Sequence, residues 1–395
     1  MPDSAVAEPR GLDGHLRAKT NRRLRENVTS LSPARSDQFD NPVDLKLLFQ
    51  RHYSGWFGLD RQGEAREQGN GRQPMTLQDV QWRAEYVIFR TFACVVEILS
   101  PRQIDRLARG LAWVMTRLLP RKVSRYNLVR ENLHHAFGHE KSESEINQLI
   151  FDMWVHLFRM VGEVIQFPRK VRLENCREVI RFRKRAECVK ALNSGRPVFL
   201  VGGHLGNWEA STVIFGLFGF RMGIVARKLD NPYLHRWFLR SRQQSGHQLL
   251  LKSGGWDGMA ELMKAGGNLG LLCDQDAGRR GVFVDFLGRP ASTFRSIALM
   301  AMESRALIAV GYGCRVADDF DEGRWSRFEI GLEEIIDVTT IDADDEVQEI
   351  TQRYSRALER AIRKFPEQYF WVHRRWKSVP GVRRVRKKKV EADAA

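Results

Sequence analysis

The sequence predicts an α/β protein: a largely parallel mixed sheet flanked by helices, preceded by a helical segment. Three observations carry that expectation. After residue 195, short apolar runs alternate with helical stretches, as successive strand and helix units do. Upstream, apolar residues recur at three- and four-residue spacings. At 395 residues and 43% hydrophobic, the chain can bury a substantial core.

Residues 1–80 are rich in Arg, Asp, Gln, Gly and Pro with little periodicity, and read as a polar, disordered extension without the apolar core of a secretory signal. The folded domain is expected over 81–378, with 379–395 a basic tail. Apolar density peaks between 84 and 119, where Arg90, Glu97, Arg102, Asp105, Arg106 and Arg109 interrupt it. No uncharged run reaches the roughly 18–20 residues that a spanning helix needs. Within 81–125 the pattern gives two amphipathic helices, which either lie on a bilayer surface or pack on the domain. From Asn127 to Phe167 the pattern is helical. Ile146, Ile150, Met153, Trp154, Leu157, Val161 and Val164 form a stripe, and Ser142 is a candidate N-cap.

Beyond 195, "PVFLV", "MGIVA", "HQLLL", "NLGLL", "GVFVDFLG", "LIAVGYGCRV" and "WSRFEIGL" read as strands. Helices are expected between them, including one through "STFRSIALMAMESRA". A last helix from about Asp344 to Lys364 turns Val347, Ile350, Tyr354, Leu358 and Ile362 to one side. There is no internal repeat.

The balance of 64 Lys+Arg against 48 Asp+Glu gives +16 at pH 7, which favours an anionic partner: nucleic acid, a phospholipid surface or a phosphorylated substrate. Five scattered cysteines without a CxxC read as reduced and structural, in a cytosol-facing protein.

One stretch carries chemistry. In "GGHLGNWEA" (202–210), His204 follows the buried run "PVFLV" on a glycine-rich turn, ahead of a helix beginning near Asn207. Ligand sites of open α/β sheets form at such strand ends. Glu209 falls in the first turn of that helix, where the dipole favours a carboxylate. A carboxylate on one imidazole nitrogen fixes the tautomer and makes the other nitrogen a base. The spacing alone is weak, because ten histidines and this acidic content produce about one His-x4-acid by chance. A structural histidine in a turn is the competing reading.

In "LLCDQDAGRRG", Asp274, Gln275 and Asp276 stand at another strand end. They suggest divalent-cation or glycoside chemistry, or a loop that merely caps and turns. P-loop, G-x-S-x-G and G-x-G-x-x-G patterns are missing. In "YFWVHRRWK" (369–377), aromatics alternate with basic residues as in a base-stacking surface, but Tyr369, Phe370 and Trp371 read as core.

Five blocks in order, "NLHHAFG" (132–138), "HLGNWE" (204–209), "ARKLDNPYL" (226–234), "DQDAGRRGVFVDFLGRPASTF" (274–294) and "FPEQYFWVHRRWK" (365–377), make residues 84–377 resemble the late, lauroyl/myristoyl acyltransferases of lipid A biosynthesis. The wider lineage of that family includes a phosphatidylinositol mannoside acyltransferase. The resemblance implies transfer of a fatty acyl chain from acyl carrier protein, or coenzyme A, to a hydroxyl of a lipid A precursor or related glycolipid. It casts His204 as general base and Glu209 as the acid that orients it. Arg227, Asn231, Asp274 and Gln275 fall on its substrate-binding or supporting blocks. It implies no metal or redox cofactor, and peripheral or monotopic attachment to an anionic membrane surface, at the cytoplasmic face of the bacterial inner membrane. An acyl-thioester hydrolase and a basic nucleic-acid-binding protein are the alternatives; no specific nucleic acid is expected as partner.

Overall fold

The protein is described by a computed structural model covering residues 76–226, 228–243, 245–251, 256–320 and 325–381. Residues 1–75 and 382–395, most of the expected extension and tail, lie outside the described residues. Helix begins at Leu77, inside the stretch assigned to the extension, because Thr76 makes a strong start there. Its hydroxyl accepts from the Asp79 N–H while the Asp79 carboxylate accepts from the Thr76 N–H. Ser100 and Gln103 repeat this reciprocal cap ahead of the second helix, with Pro101 at a position that needs no N–H.

The two helices expected within 81–125 are α1 (Leu77–Ile98) and α2 (Pro101–Trp113), the latter continued by a π-helical turn over Val114–Leu118. Ala93, Val96, Ile104, Ala108 and Ala112 turn inward. Val87, Ile88, Val95 and Ile98 on α1, and Leu107 and Leu111 on α2, are exposed. The region 127–167 forms two helices, α3 (Tyr126–Phe137) and α4 (Glu143–Lys170). Ser142 caps α4, with Glu145 closing the box. Ile146, Ile150 and Met153 are buried, whereas Val161, read as part of the same stripe, is exposed. A one-turn helix α5 (Cys176–Val179), strand β1 (Ile180–Arg183) and α6 (Arg185–Leu192) precede the alternating region.

There follow β2 (Val198–Gly202), α7 (Trp208–Leu217), β3 (Met222–Ala226), α8 (Pro232–Gln243), β4 (Gln248–Leu251), α9 (Trp256–Lys264) and β5 (Asn268–Leu272). The chain then runs through β6 (Val282–Phe286), β7 (Arg289–Thr293), α10 (Arg295–Glu303), β8 (Leu307–Ala317), β9 (Arg327–Asp337) and α11 (Glu346–Lys364). Among the described residues the main sheet has seven strands in the order β1-β9-β8-β2-β5-β3-β4. Every neighbouring pair is parallel except β8 with β9. The mixed, largely parallel α/β fold is therefore present. "GVFVDFLG" departs from expectation: it does not join the main sheet. It folds back as β6 on β7, an antiparallel pair of its own, and β7 takes residues 289–293, so α10 starts only at Arg295.

Side-chain alternation sends the central strands to two cores. Phe199, Val201, Leu269, Ile308 and Val310 pack with Tyr354, Leu358 and Ile362 of α11. Val198, Leu200, Ala309 and Leu332 pack with Cys188, Ala191 and Leu192 of α6. The α11 stripe read from the sequence is the buried one, with Ile350, Tyr354, Leu358 and Ile362 at 0–1% exposure. Tyr369 and Trp371 are likewise core, and Phe370 packs at its edge.

Candidate active site

Strands β2 and β5 are parallel neighbours whose register runs from Val198 opposite Asn268 to Gly202 opposite Leu272. The Cys273 N–H donates to the Gly202 carbonyl at 2.9 Å, carrying the register past both strand ends. Two residues beyond each end, His204 and Asp274 meet. The Asp274 Oδ1 lies 2.7 Å from His204 Nδ1, and Oδ2 accepts the His204 backbone N–H at 2.7 Å. A carboxylate only accepts, so Nδ1 carries the proton and Nε2 keeps its lone pair. Asp274 is fully buried, whereas the His204 side chain is 17% exposed, so one edge of the ring is reachable. The rings of Trp208 and Phe370 flank it, with centroids at 5.0 and 5.9 Å.

The electrostatics follow from this pairing. Burial of His204 opposes its protonation, but the Asp274 charge and hydrogen bond, with Glu209 adding to them, outweigh that and raise its pKa above 6.5. Burial pushes the Asp274 carboxyl up, and the His204 charge and hydrogen bonds draw it further the other way, to about 2. The pair is an imidazole held in one tautomer by an ionised acid.

The carboxylate on the imidazole is thus Asp274 and not, as the sequence spacing suggested, Glu209. Glu209 stands in the first turn of α7 and makes two bonds to Arg242 of α8, at 2.6 and 3.1 Å. Asn207 fixes the helix start: its Oδ1 accepts from the Ala210 N–H at 2.9 Å, and its Nδ2 donates to Glu163 of α4 at 3.0 Å. Between His204 and Asn207 the chain turns at Gly206, whose φ is +61°. A Cβ there would lie 2.2 Å from the Gly313 carbonyl oxygen. This glycine serves a close approach of strand β8.

Of the remaining sequence candidates, Asn231, Gln275 and Asp276 fall within the described residues. Asn231 is buried, and its side chain is spent on the fold. Oδ1 accepts from the N–H groups of Tyr233 and Leu234, while Nδ2 donates to the Trp82 carbonyl and to Glu85, both at 2.9 Å. It thereby caps α8 and fastens it to α1. Gln275, next to Asp274, is exposed. Asp276 accepts from the Gly278 N–H and from Ser378. Arg227 lies outside the described residues.

Sequence reasoning assigned no site role to the residues that close the back of the dyad. The Phe370 N–H donates to the His204 carbonyl at 2.9 Å. His373 stacks on Phe370, with its Nε2 3.0 Å from the Asp274 carbonyl oxygen. Behind the turn, Arg315 pairs with Glu163 at 2.5 Å, and the buried His156 lies 3.2 Å from the Gly206 carbonyl oxygen. The block at 365–377 was the one signal pointing to any of these.

Beside the dyad loop, an apolar cavity of about 430 Å³ runs along one sheet face beneath α7. Gly203, Leu205 and Trp208 line it at the His204 end; Cys188 and Leu192 of α6 also line it. Its volume is that of a small-ligand pocket. Fold and site together define an α/β protein with a histidine–carboxylate pair at the carboxyl edge of its sheet, next to an apolar cavity.

The sequence matches the family described as bacterial lipid A biosynthesis acyltransferase over residues 75–378. The chain belongs to that family. It is also 29% identical, over 143 residues, to a phosphatidylinositol mannoside acyltransferase of Mycolicibacterium smegmatis (strain ATCC 700084 / mc(2)155), an alignment that covers 33% of this chain and 47% of the relative. The chain thus spans about half the length of the curated relative that it matches.

Proposed function

We propose that this protein transfers a fatty acyl chain from a thioester, carried by acyl carrier protein or coenzyme A, to a hydroxyl of a lipid A precursor or related glycolipid. The observation that supports it most is the His204–Asp274 pair, oriented and partly open, beside an apolar cavity. His204 Nε2 takes the proton of the acceptor hydroxyl as its oxygen attacks the thioester carbonyl carbon. The C–S bond then breaks, and the leaving thiolate takes that proton back from Nε2–H. The products are an ester and a free thiol, and no acyl-enzyme forms. Asp274 holds Nδ1–H and stabilises the transient imidazolium, the role of the third member in a triad. Glu209, held by Arg242, adds negative potential and shapes the wall between α7 and α8. The acyl chain lies in the cavity beneath α7, where apolar lining favours each methylene by about 0.8 kcal/mol.

For the setting, the exposed apolar residues of α1 and α2 suit a protein lying on a bilayer. Among the described residues, no helix is long and apolar enough to cross a membrane. We propose peripheral or monotopic attachment through these helices, at the cytoplasmic face of the inner membrane, aided by attraction of the +16 chain to anionic headgroups.

The test is acyl transfer from labelled acyl carrier protein and acyl-CoA to a panel of glycolipids in detergent. The wild type should form acylated lipid, and His204→Ala should lose at least about a hundredfold in rate, the scale of general-base catalysis. Equal rates in the two proteins would sink the mechanism. Release of free fatty acid without acylated lipid would favour the thioesterase reading.

A further inference from the structure

Away from His204, a second cavity, of about 650 Å³, lies between α1, the carboxyl end of α4 and α8. Its lining is basic. Arg90 comes from α1, Arg169 and Arg172 from the end of α4 and the turn after it, and Arg236 and Arg240 from one helical turn of α8. The carboxylate among them, Glu97, pairs with Arg169 at 3.1 Å. Among the described residues, Arg90, Arg172, Arg236 and Arg240 have no acidic partner.

Four exposed guanidinium groups without an acidic partner, drawn from α1, the turn after α4 and α8, line one concavity, where their like charges repel through solvent. An anion seated between them reverses the sign of that interaction. Arginine's planar fork suits the oxygens of a phosphate in particular. The walls are also fixed in advance. Asn231 ties the start of α8 to α1, Arg83 of α1 donates to the Tyr233 hydroxyl at 3.0 Å, and Trp237 packs edge-on against Phe89 with centroids 4.8 Å apart. On α1, Arg90 stands on the flank between the buried side and the exposed stripe of Val87, Ile88 and Val95. The concavity therefore opens beside an apolar surface, as a site for the charged end of an amphiphile would.

We propose that this basin is a phosphate-binding site, taking a phosphate ester carried either by a lipid headgroup or by the coenzyme part of an acyl donor. The donor as a source rests on the proposed transfer function, whereas the phosphate site itself does not, and binding without turnover tests it. Full-length protein in neutral detergent is titrated calorimetrically with dihexanoyl phosphatidic acid, with dihexanoylglycerol, which lacks the phosphate, and with coenzyme A. Wild type should bind a phosphate-bearing probe and not dihexanoylglycerol. Arg236→Gln/Arg240→Gln, and separately Arg90→Gln/Arg172→Gln, should each weaken that binding at least about tenfold. Lys190→Gln/Arg356→Gln, which removes two exposed charges elsewhere, should change it less than about twofold.

If the pattern appears with phosphatidic acid alone, the source is a lipid headgroup; if it appears with coenzyme A, the donor supplies the phosphate. Equal weakening in the control and basin pairs reduces the site to the general field of a basic protein and overturns it, as does binding unaffected by either basin pair. His204→Ala should bind as wild type does, so a failure of the transfer mechanism would be seen separately.

Discussion

Asp274→Asn is the sharpest perturbation of the site, because geometry and sequence spacing disagree about which acid serves His204. Asp274 accepts two hydrogen bonds from His204, both at 2.7 Å, and has no exposed surface. Its carboxyl sits at about 2 against 3.8 in the open chain, so the pairing is a stabilising contribution that Asp274 shares with the protonated His204. That contribution is present above 3.8 and lost as pH falls through about 2. The asparagine variant should lose it, and the amide no longer forces the proton onto Nδ1. Loss of the correct tautomer and of imidazolium stabilisation should lower kcat/KM by about 10²–10⁴. Glu209→Gln removes a partly exposed pair with Arg242 and a charge that makes no hydrogen bond to His204, so about tenfold or less is expected. Steady-state transfer rates of both variants, with thermal melts to confirm folding, decide the matter. A Glu209→Gln enzyme as inactive as His204→Ala, beside a nearly active Asp274→Asn, would refute the assignment.

Other outcomes follow from the same geometry. The rate should rise with pH through the raised pKa of His204, above 6.5, and the limb should move to lower pH in Asp274→Asn; a pH–rate profile for each measures this. The stabilising share of the His204 charge has the opposite sense, being full below 6.5 and fading as pH rises through the raised value. Ala309→Leu, which adds bulk to the cavity floor, should shift preference toward shorter acyl donors, by about fourfold per methylene excluded, in a chain-length competition. Asn207→Ala removes a helix cap and a donor to Glu163 from a buried site and should cost roughly 2–4 kcal/mol in a urea titration. Val87→Asp/Ile88→Asp should reduce sedimentation with anionic vesicles while leaving the melting temperature nearly unchanged, since both residues are exposed.

Much of the architecture was legible one segment at a time, since periodicity and caps are local. The α11 stripe, the Ser142 cap and the strand–helix alternation all follow from neighbours in the chain. The hairpin of β6 and β7 was missed for a related reason: whether an apolar run joins the main sheet or pairs with its successor depends on partners that no window contains. The site shows the same division. Sequence alone marked His204, and it marked Asp274 as a residue at another strand end. It joined His204 to Glu209, because those two are close along the chain. Only the tertiary structure set β5 beside β2 in a register that ends both strands level, so that residues 70 positions apart share two hydrogen bonds, while α7 directs Glu209 to Arg242. Sequence thus determined which chemical groups the protein carries and the periodicity of each element. Strand adjacency, a property of the packed sheet, decided which acid meets the base.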